Sequence, residues 1–469
     1  MKPKRWNYKT TNSVHDLFRA LPKAVIHRLS RTVARLTPAS GLTYVDDAGK
    51  TVSITLTLRP RLLTPGRGRR LWQIIRTLDG AFQKLSTFYF KNPAFGALFP
   101  FSPREQEWIS ILQEPGYRPG QVISRWDANT TFGDEDWKEG FSFFEVNGVG
   151  VGGLWYGPSS AEISLKTVAP ELRKLDPHFR PFLGPDMRRL LLGALLHQRK
   201  KIGLTRGVMA FVMEKASGSN YVEFIRLAKL FTRLGHPTIV TEPVDFRLKG
   251  GEIYARGKKI DVLYRDTTLS ELCLLEEKGH DLAALRLAFR RGQMVSSLEG
   301  EFDHKSAFEV FTNPEYSHFF TAQERRVFQP YILWTRLLGE RKTPNPHGKT
   351  VDLIPFILKN QTGMVLKPNR LYGGKGVVFG KEVRRPVWEK KIESALKKPG
   401  DWVIQKLGAL RAKRFFRPDK KRGALERELF VVSGFFATEK GMGTVGRMSE
   451  RTVVNVARRG GLTPILLIR

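Results

Sequence analysis

Apolar residues recur at helical spacing over 14–36, with a break or restart at Pro22, and again over 71–88. In the second stretch Leu71, Ile74, Ile75 and Leu78 fall on one face. Between them a strand is predicted over 52–58, followed by a basic turn, Pro65-Gly66-Arg67-Gly68-Arg69-Arg70. From 122 to 151 the period shortens to that of strands, joined by the acidic link Gly133-Asp134-Glu135-Asp136. A helix over 187–200, a strand over 208–213, a helix over 221–234 and a strand over 237–240 then predict a small α/β layer with a parallel pair. Residues 246–265 read as a hairpin turning at Lys249-Gly250-Gly251 and closing on the apolar run 260–264.

The pattern over 269–338 is mostly helical, and 341–350 is a proline-rich loop. An apolar stretch over 351–358, interrupted by Pro355, leads into strands over 364–367, 376–379 and 402–405. A basic insertion over 410–427 precedes strands over 429–436 and 452–457. The fold class expected from this order is α+β, with more than one domain. No internal repeat, low-complexity tract or sustained heptad is visible.

The chain has 469 residues, enough for about three domain-sized units or two large ones. With 41% hydrophobic and 11% aromatic residues it has the material for sizeable cores. Its 79 Lys and Arg against 45 Asp and Glu give a net charge of +34, a field that attracts nucleic acid, anionic membrane or anionic substrates without choosing among them. The one cysteine, Cys273, excludes an intramolecular disulfide framework and cysteine-rich metal sites, which suits a reducing, cytoplasmic setting. No apolar run reaches the roughly 18 residues of a membrane-spanning helix, and no signal-peptide core opens the chain. Residues 1–40 are basic, as an organelle-targeting segment, a basic arm or an exposed helix of a basic protein would be.

Two segments carry candidate chemistry. In Val365-Leu366-Lys367-Pro368-Asn369-Arg370-Leu371-Tyr372-Gly373-Gly374-Lys375-Gly376, a lysine interrupts an apolar strand, where an ammonium is costly unless an anion meets it. The glycines that follow let backbone N–H groups approach phosphate oxygens. An ordinary glycine-rich hairpin with a surface lysine explains the same pattern equally well. In Arg125-Trp126-Asp127 and Phe143-Phe144-Glu145-Val146-Asn147, the period of two puts Arg125 with Asp127 and Glu145 with Asn147. If the two strands pair, Asp127, Glu145 and Asn147 converge as hard oxygen ligands for Mg²⁺; polar residues on the wet face of a hairpin are the bland alternative. Gly348-Lys349-Thr350 imitates the end of a phosphate-binding loop, but Thr343 stands where that motif needs its first glycine.

Taken together and in this order, the segments resemble the circularly permuted ATP-grasp ligases, most closely the glutathionylspermidine synthase-like group. The resemblance spans roughly 121–469 and rests on Arg125 and Asp127, Glu145 and Asn147, Asp303-His304-Lys305, Lys367-Pro368 with Gly373, Gly374 and Gly376, Gln405, Val262-Leu263-Tyr264-Arg265, and Gly446-Arg447 with Asn455 and Gly460-Gly461. It implies a permuted ATP-grasp core with an inserted small α/β, pre-ATP-grasp-like layer. The implied division is an unassigned basic region at 1–120, metal-site strands at 121–180, the α/β layer at 181–270 and the nucleotide and lid region at 271–469. It also implies a carboxylate–amine ligase that uses ATP and Mg²⁺ and works on small-molecule substrates.

The implied roles follow residue by residue. Asp127, Glu145 and Asn147 hold the metal; Lys305, Lys367, Gly373, Gly374, Gly376 and Gln405 bind nucleotide; Arg125 and Arg447 act on the transferring group. The link between Asp127 and Glu145 is longer than the family's, the insertion at 410–427 is unusually basic, and 1–120 match no motif, all of which bears on the acceptor substrate. The competing expectation is a polyanion- or nucleic-acid-binding protein on a degenerate core, served by the N-terminal arm, 67–70 and the run 411–427, where Phe415 and Phe416 would stack on bases.

Overall fold

The computed structural model describes residues 11–46, 49–129, 131–134, 136–205, 207–215, 221–419, 423–454 and 460–469. Six strands position the site: β1 (Ser124–Asn129), β2 (Phe143–Asn147), β3 (Met364–Pro368), β4 (Trp402–Lys406), β5 (Gly423–Thr438) and β6 (Gly441–Ser449). The central sheet runs Thr55–Leu56, Gly461–Leu462, β6, β5, β1, β2, with Lys413–Asp419 pairing the N-terminal half of β5. A second, four-stranded antiparallel sheet has the order Thr335–Leu337, β4, β3, Val378–Phe379. The candidate site is lined by residues of both sheets.

β1 is buried along its whole length, which its alternation explains. Trp126 packs edge-on against Phe82 and Phe143, with Phe82 supplied by the amphipathic helix α1 (Pro65–Gln83). The alternate positions Arg125, Asp127 and Asn129 face the cavity instead. The second sheet repeats this device: Met364, Leu366 and Ile404 pack with Trp334 and Trp388, while Val365, Lys367 and Gln405 line the cavity.

The α/β layer forms as its periodicity predicts. After β2 the chain forms α2 (Tyr156–Leu175); in the layer, Val208–Val212 pairs in parallel with Thr238–Thr241 on one side and Lys258–Arg265 on the other, and α3 (Tyr221–Arg233) connects the first two. The hairpin turns at Gly250 and Gly251, which take the positive φ values of 57° and 74° that the turn requires. Residues of 11–120 enter the same cores: Phe18, Leu29 and Val33 pack in one cluster with Phe436 and Val445 of the central sheet.

Four expectations are corrected. The basic segment 65–70 is the first turns of α1, capped by the Thr64 side chain, because Pro65 suits a helix N-terminus; Arg69 is exposed, while Arg67 donates to the Phe132 carbonyl at 2.8 Å. The basic insertion is a β-hairpin of the central sheet, and Phe415 and Phe416 are buried in it. Phe416 packs on Phe18 and His15, and the Arg59 guanidinium lies over the Phe415 ring, so neither ring is presented to bases. No strand forms at 452–454, and β6 is the strand that the glycine-rich run 441–446 concealed. The proline-rich segment at 341–350 closes as a short hairpin rather than a loop. Asn455 lies outside the described residues.

Candidate active site

β1 and β2 pair antiparallel, with Asp127 opposite Glu145 and Arg125 opposite Asn147. All four line a cavity of about 350 Å³, within the range of small-molecule sites. Asp127 is fully buried and lies between two guanidiniums. Arg125 Nε and Nη2 donate to its two oxygens at 2.9 and 3.0 Å, and Arg447 Nη2 sits 2.7 Å from Oδ2. Asn147 Nδ2 donates to the same oxygen at 3.3 Å. Burial on its own would raise the Asp127 carboxyl, but the two arginines outweigh it and hold the group below the usual carboxylate range. Gly434 makes the arrangement possible, since a Cβ there would meet the Arg125 side chain at 2.7 Å.

Arg447 reaches Asp127 through the register of β5, in which Val432 faces Arg447 on one side while Gly434 faces Asp127 on the other. Arg125 also donates through Nη1 to the Gly152 carbonyl at 2.7 Å. That carbonyl belongs to a glycine-rich loop held from beneath by Glu223 of α3. The Glu223 carboxylate accepts from the N–H groups of Gly153 and Trp155 at 2.7 Å each and of Tyr156 at 3.4 Å, at the N-terminus of α2. Burial pushes this carboxyl up to about 7 despite the three donors.

Glu145 pairs with Lys305 at 3.2 Å. Lys367 Nζ donates to Gln405 Oε1 at 2.6 Å and to the Phe144 carbonyl at 3.3 Å. The Gln405 amide is oriented by its own donation to Thr335 Oγ1 at 2.9 Å. Burial lowers the Lys367 ammonium to about 8, against the pull of the Glu145 carboxylate. Around this end of the cavity four cations, Arg125, Arg447, Lys305 and Lys367, face the two carboxylates Asp127 and Glu145, an excess that suits a polyphosphate.

The glycine-rich loop after β3 contributes Tyr372, Gly373 and Gly374 to the cavity wall, and its glycines Gly373, Gly374 and Gly376 take φ values of 67°, 70° and 74°. Gly376 packs on Pro368 and Trp402 rather than lining the cavity. Every other residue expected at the site is brought to this one cavity. Sequence reasoning assigned no role to Asp303, Tyr372 or Glu223, and missed the strip Lys406-Leu407-Gly408 and the acidic wall of Glu214, Asp266 and Glu271. Asp303 and Tyr372 lie in stretches the sequence singled out, and the strand 402–405 continues into 406–407, but Glu223 and the acidic wall have no local signature.

Asp127, Glu145 and Asn147 are oxygen-bearing residues at adjacent register positions on one sheet face, the residue types a hard cation such as Mg²⁺ takes; here both Asp127 oxygens are engaged by Arg125 and Arg447, and Glu145 by Lys305. Among the described residues no three His, Cys, Asp or Glu are placed to hold a metal ion by themselves, so any cation here is shared with waters and substrate oxygens. Among the described residues no helix is long and apolar enough to cross a membrane.

No protein-family model matches the sequence, and no curated protein does. Among solved structures, a glutathione synthetase-like effector (GSS30) from Globodera pallida superposes with a TM-score of 0.68 over 98% of this chain and 100% of its own, at 12% identity. A RimK domain ATP-grasp protein from Sphaerobacter thermophilus covers 53% of this chain and 91% of its own at 13% identity, with a TM-score of 0.26, too slight a likeness to carry weight. The chain has an α+β fold, and it is the fold of the glutathione synthetase-like effector.

Proposed function

We propose that this protein is an ATP-dependent carboxylate–amine ligase. The observation that carries the reading is one cavity in which Lys305, Lys367, Arg125 and Arg447 surround Glu145 and Asp127 beneath a glycine-rich loop. In the reaction, an oxygen of the donor carboxylate attacks the γ-phosphorus of ATP and ADP leaves, giving an acylphosphate. The amine then attacks the acyl carbon, phosphate leaves, the amine gives up a proton, and an amide remains.

This chain's residues supply the electrostatics. Lys305 and Lys367 bind phosphate oxygens, with Gln405 orienting Lys367. Arg125 and Arg447, aligned by Asp127, present two planar cations to the carboxylate and the transferring phosphoryl group. Glu145 and Asn147, with Asp127, would hold Mg²⁺, which supplies charge neutralisation on the phosphates. Beyond the arginines, along the loop that carries Gly150, the acidic residues Glu214, Asp266 and Glu271 suit a substrate that arrives as an ammonium ion. Closure of the glycine-rich loop excludes water from the acylphosphate. The element order, with the Asp127 and Glu145 strands ahead of the Lys367 strand, supports the permuted form of the fold.

The test is ADP release with Mg²⁺ across a panel of carboxylates and amines, beside a thermal shift at millimolar ATP–Mg²⁺. Nucleotide is expected to raise the melting temperature, and at least one carboxylate–amine pair is expected to drive ADP release. A folded protein with no shift overturns the reading.

A further inference from the structure

Asp303 is a buried carboxylate with no part in the chemistry above. Its Oδ2 accepts from the Gly148 N–H at 2.8 Å, and its Oδ1 accepts from the Tyr372 hydroxyl at 3.0 Å. Gly148 directly follows β2, which carries Glu145 and Asn147; Tyr372 opens the glycine-rich loop. One carboxylate therefore bridges the end of the carboxylate strand and the loop that covers the cavity.

The surroundings show where the loop is anchored. Just before it, Asn369 is fixed by Ser306 N donating to its Oδ1 at 2.9 Å and by Lys305 N donating to its carbonyl at 3.0 Å. Arg370 makes a two-pronged pair with Glu105 at 2.5 and 2.8 Å. Just after it, Gly376 is packed against Pro368 and Trp402. Between these anchors the residues are an exposed Leu371, Tyr372, two glycines of positive φ, Gly373 and Gly374, and Lys375; the residue surface of Tyr372 is 37% exposed although its hydroxyl reaches the buried Asp303. Lys305, the partner of Glu145, donates to the Leu371 carbonyl at 2.7 Å. The Tyr372 ring is partly exposed and is tied at its tip to the buried Asp303 carboxyl, while Lys305 sits 5.7 Å from its centroid.

We propose that Tyr372 and Asp303 form a latch that holds the glycine-rich loop closed over the cavity and, through Gly148, ties loop position to the strand bearing Glu145 and Asn147. Both are positioning residues. The consequence for turnover rests on the ligase reading, whereas the latch itself is a property of the ligand-free protein and is tested without nucleotide.

The experiment is hydrogen exchange on the full chain, followed by product accounting. In Tyr372→Phe the amides of 371–377 are expected to exchange about tenfold faster, the shift expected from losing one buried hydrogen bond, while 148–153 stay as in wild type. In Asp303→Ala both segments are expected to speed up. Asp303→Asn, whose amide oxygen still accepts from Gly148 while its nitrogen donates to the Tyr372 oxygen, is expected to restore most of the protection. Unchanged exchange over 371–377 in Tyr372→Phe overturns the latch, and that variant decides alone if Asp303→Ala does not fold.

With a substrate pair that wild type turns over, Tyr372→Phe is expected to release several-fold more ADP per amide formed, because water reaches the acylphosphate. A purely structural role would lower both products together, and that outcome also overturns the proposal. A wild type that binds no nucleotide, with faster loop exchange in Tyr372→Phe, sinks the ligase reading and leaves the latch standing.

Discussion

Asp127, in the cavity wall, and Asp303, behind the Tyr372 that lines it, are the same residue type and both buried, and their environments drive them in opposite directions. Asp127 has two guanidiniums within 3.0 Å, which hold its carboxyl below the usual range. Asp303 has a backbone N–H and a phenol, and burial, with Glu301 nearby, pushes its carboxyl up to about 7. Burial penalises both anions alike, so the partner decides the ionisation. The first region is a fixed charged wall suited to polyanions. The second is a seam of weaker bonds between glycine segments, which suits movement.

The largest expected effect sharpens the electrostatic side. Glu145→Gln keeps the shape and one oxygen ligand but removes a charge opposite Asp127, so turnover should fall by roughly three orders of magnitude with the fold intact, as steady-state kinetics and circular dichroism would show. Asp127→Asn leaves two guanidiniums facing a neutral amide in a buried site. Urea denaturation should show a loss of about 3–5 kcal/mol, against about 1 kcal/mol or less for Asp303→Asn. Equal losses in the two variants would erase the contrast.

The pH dependence separates the regions by sign. A carboxyl whose folded pKa is depressed, as in Asp127, contributes stability above its unfolded pKa near 4 that is lost as pH falls. Asp303 and Glu223, raised to about 7, do the reverse: the folded protein keeps protons the unfolded chain releases, so their contribution is full below about pH 4 and declines up to pH 7. Asp303→Asn should therefore flatten the fall in stability between pH 5 and 7 by about 2 kcal/mol, measured by denaturation at several pH values.

Lys367, lowered to about 8, should bind nucleotide better protonated, so ATP affinity should weaken about tenfold or less as pH rises from 7 to 9, and Lys367→Met should lose that dependence. Calorimetric titration at the two pH values decides it. Smallest of all, neutralising the exposed Arg414 together with Arg417 should leave ADP release within about twofold of wild type, since these side chains pair with Glu426, Glu428 and Glu450 at the surface, far in register from the cavity strands.

The sequence by itself determined which residues share a face. Alternation put Arg125 with Asp127 and Glu145 with Asn147, and an ammonium in an apolar strand marked Lys367, because a period of two is a local property of extended backbone. The helix–strand order of the α/β layer was legible for the same reason. Tertiary structure decided which faces meet. Arg447 reaches Asp127 only through the register of β5 between β1 and β6, and Glu223 and Asp303 acquire their partners from loops far away in the chain. It also decided that Phe415 and Phe416, which look displayed among arginines, are buried against Phe18 and Arg59. A buried carboxylate's charge and a ring's exposure depend on neighbours tens to hundreds of residues distant, and no local pattern encodes them.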